Sequence, residues 1–415
     1  MFTSQETGLA VDGGPPIRTA PWPTYDKGDV FISPEDEAAA IQALRERLYF
    51  RYDHRPYEET RTGRLELSLA AHFGVRHALA CASGTTAIAL GLLALGLEPG
   101  SPVACPAFTF AATPSAILLA GHRPLLVECD ADLHLDVTDL KRALAEGAKA
   151  IVVVHMRGFA SDLPAICRLA DEYGVPVVED AVPALGARLG DRHLGTFGHV
   201  GAFSTQSDKS LNTGEGGFLL TDDPETYARA VVYSGAYESR MARHFDGAPP
   251  PVDDLALPIF GIRMDEIRAA LAGSLLERLP ARLALHHRNY DHVAERLEGL
   301  DRIALRRPVA PHAYLGEALV FRLEDAAPDQ CAWFARALCA EGIDARALGD
   351  PADPNVRTFW NWRFIFDDPA TARAALPRTA RYVGQAVDIP LSANLGPDDC
   401  DDLVAAVRKV HAALD

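Results

Sequence analysis

Short apolar runs alternate with longer helix-forming segments over much of the first half of the chain. The runs predict strands at 77–82, 102–105, 123–128, 150–155 and 175–179. The segments between them predict helices from Thr85, from Phe110, over 136–144 and over 163–173. Strands that alternate with helices of about ten residues are typical of βαβ crossovers. We therefore expect an α/β fold whose central sheet is mostly parallel and covered on both faces.

The pattern changes on either side of this region. Pro- and Gly-rich residues 1–30 predict an extended arm, and Ser33-Pro34 predicts the start of a helix that ends near Arg47. Further on, residues 200–204 and 217–221 predict two strands joined by a polar turn. The expected domains are an N-terminal arm (1–30), a large domain (31–290) and a smaller C-terminal α+β domain (291–415).

Charge and cysteine content restrict the partners and the location. The chain has 40 Lys and Arg against 57 Asp and Glu, a net charge of −17, so most of its surface repels nucleic acid and anionic lipid. The long uncharged segments 78–97 and 103–121 are interrupted by Ser-Gly-Thr-Thr and by prolines, which favours a buried core over a membrane span. Seven cysteines without a CxxC pair predict no disulfide framework and no metal site. We expect a cytoplasmic protein.

Candidate ligand-binding residues follow the predicted strands, because parallel sheets bind ligands at the carboxyl ends of their strands. Ser83, Gly84 and Thr85 lie between a strand and a helix, where free backbone N–H groups would hold a phosphate. They are equally typical of an ordinary helix start. Phe110 follows the next strand; it would stack on a flat cofactor or belong to the core. Asp180 ends the apolar run VPVVED, as partner of a protonated ring nitrogen or as a turn residue.

A lysine completes this set of candidates. Lys209 lies between the strands 200–204 and 217–221, close to the Gly-rich turn TGEGG. An amine, a strand-end carboxylate, an aromatic ring and a phosphate cradle are the parts that a pyridoxal phosphate site requires. In an acidic protein the same lysine is otherwise a solvated surface charge.

Several segments together resemble one known family. The segments AFSTQSDKSLNTGEGGFLLTDD, ASGTTAIALGL, PAFTFAAT, VVVHMRG, VEDAVPALGA and GIRMDEIRAAL are similar to the DegT/DnrJ/EryC1/StrS family of sugar and cyclitol aminotransferases. The resemblance runs from about Pro21 to the C-terminus. It implies the aspartate-aminotransferase fold (fold type I of pyridoxal-phosphate-dependent enzymes), a homodimer with active sites at the subunit interface, and amino transfer from L-glutamate or L-glutamine.

The resemblance also implies roles for individual residues. Lys209 would carry the cofactor and shuttle the proton, and Asp180 would keep its pyridine nitrogen protonated. Phe110 would stack on the ring. The phosphate-side residues would be Ser83, Gly84, Thr85, Ser204 and Gln206.

Three positions depart from the family pattern. Pro183 stands where a Gln or His usually reaches the phenolic oxygen, and Gly261 stands where an Asn usually crosses the subunit interface. The first interaction is lost or replaced, and Arg263 is a candidate to compensate for the second. Arg157 would bind a donor carboxylate or pair with an acidic neighbour, and we favour the pairing.

The acceptor is expected to be a keto sugar, nucleotide-activated or of high carbon number, or a keto-cyclitol. The segments LYFRYDHRPYE and FWNWRF are similar to the branch that aminates an eight-carbon sugar acid, and the arm GGPPIRTAPWP also occurs in inosose aminotransferases. Their aromatic and Arg side chains suit sugar faces and anions. The expected substrate-contacting residues are Phe50, Arg51, Tyr52, Arg157, Glu215, Trp360 and Arg363.

Two alternative functions remain open from the sequence. Family members with histidine in place of the lysine catalyse dehydration, and Lys209 argues against that chemistry. A non-catalytic cofactor-binding regulator would not need both Lys209 and Asp180, although Pro183 and Gly261 leave room for it. A nicotinamide oxidoreductase and a serine hydrolase are poorly supported, because no GxGxxG opens a helix after a strand and no GxSxG occurs.

Overall fold

The computed structural model describes residues 8–23 and 31–414. Its helices are α1 Pro34–Glu46, α2 Arg61–Phe73, α3 Gly84–Ala94, α4 Ala112–Leu119, α5 Val137–Ala145, α6 Leu163–Tyr173, α7 Pro224–Ser234, α8 Glu266–Leu276, α9 Leu279–Leu297, α10 Pro328–Ala340, α11 Pro369–Ala375, α12 Pro377–Gly384 and α13 Pro397–His411. Its strands are β1 His77–Cys81, β2 Pro102–Pro106, β3 Arg123–Val127, β4 Ala150–Val154, β5 Val177–Asp180, β6 Arg188–Leu189, β7 Arg192–His193, β8 Val200–Ser204, β9 Gly217–Thr221, β10 Ile303–Leu305, β11 Ala318–Leu323, β12 Arg346–Ala347 and β13 Ala386–Pro390.

The larger sheet has seven strands in the order β1-β9-β8-β5-β4-β2-β3. From β8 to β3 every neighbouring pair is parallel, and β9 pairs antiparallel with both β1 and β8. Alternate residues of β4 enter different apolar clusters: Val152 and Val154 join one, and Ile151 and Val153 join another. Both faces of the sheet are therefore covered, as the continuous apolar runs predict. The expected α/β architecture is confirmed.

The second sheet is antiparallel and lies in the C-terminal part of the chain. Its strand order is β10-β11-β13-β12, and α9, α10 and α13 belong to the apolar cluster beside it. The expected boundary between residues 290 and 291 falls inside α9, so the division into domains stays a prediction.

The described part of the arm is attached to this C-terminal region. The buried carboxylate of Glu341 accepts hydrogen bonds from the backbone N–H groups of Ala10 and Ile17 and from Lys409 Nζ, at 2.8–3.0 Å. Residues 1–7 and 24–30 of the expected arm lie outside the described residues.

Two elements begin two residues later than expected, whereas several other boundaries differ by a single residue. Helix α4 begins at Ala112 instead of Phe110, which leaves the Phe110 ring in a loop with 48% of its surface exposed. Strand β5 begins at Val177 instead of Val175. The Val175 N–H closes the end of α6 by donating to the Ala170 carbonyl and is not free for the sheet. Among the described residues, no helix is long and apolar enough to cross a membrane.

Candidate cofactor site

Lys209 lies on the loop that joins β8 to β9. The loop continues the hairpin, because the Thr205 N–H donates to the Gly216 carbonyl and the Thr213 N–H donates to the Thr205 carbonyl, at 2.9 and 2.8 Å. Gly216 has φ of 148°, a conformation that side chains rarely adopt. Within the loop the Lys209 N–H donates to the Gln206 carbonyl at 2.9 Å. The hairpin thus fixes the backbone that carries the amine.

The N-terminus of α3 approaches the same place. Ser83 caps the helix, since its hydroxyl accepts the Thr86 N–H at 3.1 Å, so the ordinary helix-start role is real for this side chain. At Gly84 a Cβ atom would lie only 2.8 Å from Ser204 Cβ and from Val182 Cγ2. Only glycine permits this approach of helix to sheet. The helix start offers the N–H groups of Gly84 and Thr85 and the Thr85 hydroxyl to an anion.

The two carboxylates that end β5 face opposite sides of the sheet, as neighbouring strand residues do. Glu179 accepts hydrogen bonds from His155 Nε2 and from the backbone N–H groups of Gly195, Phe197 and Gly198, so it is a structural residue. Asp180 instead lines a cavity.

Hydroxyl groups hold the Asp180 carboxylate. Thr113 Oγ1 donates to Asp180 Oδ2 at 2.7 Å and lies 2.7 Å from Thr109 Oγ1, while the Val182 N–H donates to Oδ1 at 3.2 Å. Burial raises the pKa of Asp180 above its ordinary value, and the Thr113 and Val182 hydrogen bonds and the charge of Lys209 lower it. A cation opposite this carboxylate would offset the cost of its burial.

One cavity of about 390 Å³ unites the expected cofactor residues. It is lined by Ser83, Gly84, Thr85, Phe110, Asp180, Ser204, Gln206 and Lys209. An amine, a buried carboxylate, an exposed aromatic ring and a glycine-tight helix N-terminus therefore meet at one place. These residues fit pyridoxal phosphate: Gly84 and Thr85 would hold its phosphate, Asp180 its pyridine nitrogen and Lys209 its aldehyde carbon.

The structure separates the expected substrate residues into two groups. Arg157 and Glu215 line the cavity. Arg157 donates from Nε and Nη2 to Asp388 Oδ1 at 3.0 and 2.8 Å, so it pairs with an acidic neighbour. The remaining expected substrate residues do not line the cavity in this chain: Phe50, Arg51, Tyr52, Trp360 and Arg363. Trp360 is buried beneath Arg373, and Arg363 is exposed.

The structure also shows the surroundings of Pro183, which departs from the family pattern, and of Arg263, the candidate to compensate for Gly261. Pro183 lines the cavity and offers no side-chain donor there. Arg263 Nη1 donates to the Gly235 carbonyl at 2.8 Å and its guanidinium lies 5.3 Å from the centre of the Phe50 ring. Within one chain, Pro183 therefore supplies no side-chain donor to the cofactor's phenolic oxygen, and the Arg263 guanidinium is directed to the Gly235 carbonyl and Phe50.

Comparison with known proteins identifies the family. The model of the DegT/DnrJ/EryC1/StrS aminotransferase family matches residues 41–408, nearly the whole chain. The chain belongs to this family. The family is dependent on pyridoxal phosphate, which agrees with the residues that line the cavity.

Individual members of the family extend the comparison. The chain is 34% identical over 254 residues to UDP-N-acetyl-3-dehydro-α-D-glucosamine 3-aminotransferase of Acidithiobacillus ferrooxidans. That match covers 60% of this chain and 64% of the relative, so it spans less than two thirds of the relative's length. DesV of S. venezuelae, solved with a ketimine intermediate, has a TM-score of 0.78 at 26% identity over 95% of this chain and 99% of its own. For 3-amino-5-hydroxybenzoic acid synthase the TM-score is 0.79 at 23% identity, with 95% and 99% covered, which shows the shared fold.

Some residues of the cavity were not expected from the sequence. Thr113, Val182, Glu317 and Arg357 line it together with the expected residues. Thr113 belongs to the family segment PAFTFAAT, which is the signal in the sequence that could have pointed to it. Arg357 carries no such signal, because it reaches the cavity from the C-terminal part of the chain.

The expected substrate residues Arg51 and Tyr52 belong to a buried polar network. Arg51 Nη2 donates to both oxygens of Glu66 at 2.8 and 2.7 Å, and the Tyr57 hydroxyl donates to the same carboxylate at 2.8 Å. The Tyr52 hydroxyl lies 3.0 Å from His244 Nε2. Burial and the charge of Arg51 hold the pKa of His244 well below its ordinary value, which favours the neutral ring. This network anchors the 49–57 segment to the protein interior.

Replacement of Arg51 is expected to destabilise the protein. Arg51→Met leaves the buried Glu66 carboxylate without its cation, which costs about 3–5 kcal/mol and lowers the thermal midpoint by roughly 5 °C or more. Arg61→Met is the matched control: its partner Glu46 is only partly buried, and its loss costs less than about 1 kcal/mol. Thermal unfolding followed by circular dichroism measures both. Equal midpoints for the two variants would contradict a stabilising network.

Proposed function

We propose that this protein is a pyridoxal-phosphate-dependent aminotransferase. It transfers an amino group from L-glutamate or L-glutamine to a keto sugar or keto-cyclitol. The observation that carries the proposal is the meeting of Lys209 and Asp180 in one cavity with the α3 N-terminus and Phe110. Membership of the DegT/DnrJ/EryC1/StrS family supports it.

The bound cofactor supplies an electron sink for the carbon that loses or gains the amino group. Asp180 keeps the positive charge on the ring nitrogen, on which the electron sink depends, because its buried carboxylate favours the cationic form. Gly84 and Thr85 hold the phosphate and so fix the ring's position. Phe110 covers the ring. Lys209 Nζ would take the proton from the donor's α-carbon as a base and would return a proton as an acid.

The acceptor is proposed to be a nucleotide-linked or otherwise activated keto sugar. The Acidithiobacillus relative is named for a UDP-linked 3-dehydro sugar, which makes such a sugar the first acceptor to try. A keto-cyclitol or a sugar acid remains within the proposal. Arg157 and Glu215 offer polar groups at the cavity wall.

Dehydration is the alternative chemistry on this fold. The resemblance assigns it to members with histidine at the position of Lys209, and this chain carries lysine there. The amine favours amino transfer.

We further propose a homodimer with its active sites at the subunit interface. Large apolar side chains are exposed on the described surface, including Phe50, Phe110, Ile259 and Phe260, as a partner-binding surface requires. Phe110 also lines the cavity, so a partner subunit that covers it would complete the site. The free cysteines fit the reducing cytoplasm.

Isotope transfer tests the proposed function. The protein with pyridoxal phosphate is incubated with L-[α-15N]glutamate or L-[α-15N]glutamine and UDP-N-acetyl-3-dehydro-α-D-glucosamine or other keto sugars and keto-cyclitols. Mass spectrometry should find 15N in the sugar product and an equal amount of the donor's keto acid. Loss of water from the sugar without incorporation of 15N would identify dehydration and overturn the proposal.

Loss of the Thr113 hydroxyl is expected to raise the pKa of the Asp180 carboxyl and so to lower the reaction rate at acidic pH. Thr113→Val removes the O–H that lowers the pKa of the Asp180 carboxyl, so that pKa rises further. Because the reaction needs the ionised carboxylate, the acidic limb of the pH–rate profile moves to higher pH. At a fixed acidic pH the rate falls roughly tenfold, the effect of about 1.4 kcal/mol. Thr113→Ser keeps the donor and should retain the wild-type profile; the same shift in both variants would contradict the assignment.

A further inference from the structure

Arg357 stands on a segment that is fixed against the cavity wall. Its backbone N–H donates to Asn355 Oδ1 at 3.0 Å. The neighbouring Val356 carbonyl accepts the Ala111 N–H at 3.0 Å, and Thr358 forms a β-bridge with Phe108. The segment is therefore tied to the loop that carries Phe110.

The Arg357 side chain lines the cavity, but its contacts differ from those of Arg157. Both side chains line the cavity with Lys209. Arg157 donates two hydrogen bonds to Asp388, and its Nη1 lies 3.7 Å from Glu317 Oε1. Within residues 8–23 and 31–414, the Arg357 guanidinium donates no hydrogen bond to the protein. The backbone of Arg357 is thus fixed beside the cavity, and its guanidinium donors are available to a ligand.

The charges around Arg357 favour an anion beside it. Partial burial and the neighbouring charge of Arg157 lower the pKa of Arg357, and the more weakly acting Asp388 and Glu317 only partly offset this. An anion in the cavity would replace the water contacts that the guanidinium has lost and would offset its repulsion from Arg157. The planar fork of an arginine matches a carboxylate through two parallel N–H···O bonds.

We propose that Arg357 binds a carboxylate group of a substrate and thereby makes the cavity selective for acidic substrates. This inference rests on the proposed function. Two substrates bring such a group to this cavity: the amino donor, whose α-carboxylate is common to L-glutamate and L-glutamine, and an acceptor that is itself a sugar acid. Both half-reactions use the same cavity, so a carboxylate from either source would come within reach of the Arg357 guanidinium.

Glutarate tests carboxylate binding without any turnover. Calorimetric titration of the cofactor-loaded protein with this dicarboxylate should give a dissociation constant about 10- to 100-fold higher for Arg357→Gln than for the wild type, as expected for the loss of a charge-assisted hydrogen bond. Arg381→Gln removes an exposed guanidinium from the C-terminal part of the chain, away from the cavity lining, and should bind glutarate like the wild type. Equal constants for Arg357→Gln and the wild type would overturn the proposal.

Two further titrations identify the source of the carboxylate. L-isoglutamine, the α-amide of L-glutamate, lacks the donor α-carboxylate. If Arg357 binds that group, the substitution weakens L-glutamate in the donor half-reaction and leaves L-isoglutamine unchanged. If Arg357 binds the carboxylate of an acceptor, the substitution weakens the competition of D-glucuronate with glutarate. The apparent affinity for L-glutamate is then unchanged. Unchanged values for both L-glutamate and D-glucuronate would overturn the inference.

The same measurements keep this inference separate from the proposed function. A wild-type protein that binds glutarate through Arg357 but shows no reaction with amino donors retains the carboxylate site and loses the aminotransferase assignment. If the wild type reacts with L-glutamate but Arg357→Gln binds glutarate, L-glutamate and D-glucuronate as tightly as the wild type, the aminotransferase assignment stands and the carboxylate site is lost.

Discussion

Lys209→Ala should abolish amino transfer, with a fall in turnover of about 10⁴-fold or more. The substitution removes the amine that moves the proton between the donor carbon and the cofactor, a step for which general acid–base catalysis supplies about 10²–10⁴-fold. It also removes the covalent attachment point of the cofactor. No other lysine lines the cavity among the described residues, so none is placed to take over. The rate of keto acid formation from L-glutamate measures the effect.

Three controls isolate the role of the Lys209 amine. Lys141→Ala removes an exposed lysine and should leave the rate unchanged. Lys209→Arg keeps a positive charge but not a titratable amine and should be inactive too. Thermal midpoints of the variants near that of the wild type exclude misfolding. A Lys209→Ala protein with more than a tenth of the wild-type rate would contradict the proposed role.

Asp180→Asn should lower turnover by roughly 10²–10³-fold while the protein still binds the cofactor. The amide is isosteric with the carboxylate but carries no charge, so the ring nitrogen loses the group that keeps it protonated. The magnitude is that of removing one preorganised electrostatic contact from a water-poor site. The phosphate cradle at Gly84 and Thr85 and the amine of Lys209 are untouched, so cofactor binding persists. Single-turnover rates with L-glutamate measure the step that Asp180 serves.

The charge and the shape of Asp180 are tested by two companion variants. Asp180→Glu retains a negative charge in the same cavity and should be more active than Asp180→Asn. Glu179→Gln changes the adjacent carboxylate on the other face of the sheet and is expected to affect stability, because Glu179 holds the backbone at Gly195, Phe197 and Gly198. If Asp180→Asn retained most of the wild-type single-turnover rate, the carboxylate would have no role at the ring nitrogen.

The large sheet was predictable because its strands are short apolar runs with helices between them. The expected strands 200–204 and 217–221 appear with those bounds, and the helix expected over 163–173 does too. Local capping groups make such elements readable in sequence: Ser33 caps α1 with a reciprocal hydrogen bond to Asp36. The eight expected cofactor residues meet in one cavity because each follows or ends a strand of the same sheet edge.

The rest depends on contacts between residues far apart in the chain. Arg51 is of a residue type that often binds anionic substrates, yet its side chain is buried against Glu66. Nothing in the segment LYFRYDHRPYE predicts that partner. Arg357 reaches the cavity only because the C-terminal part of the chain packs against the loop at Phe108. Such long-range pairings are set by tertiary packing and are not encoded in hydrophobic periodicity.

The visible absorption spectrum of the purified protein with pyridoxal phosphate tests the central claim most directly. The wild type should acquire a visible band of the lysine-bound cofactor, and L-glutamate or L-glutamine should bleach it as the cofactor takes up the amino group. Lys209→Ala, measured alongside, should not show that change. A protein that forms no band, or whose band neither donor bleaches, would contradict the assignment of this chain as an aminotransferase with these donors.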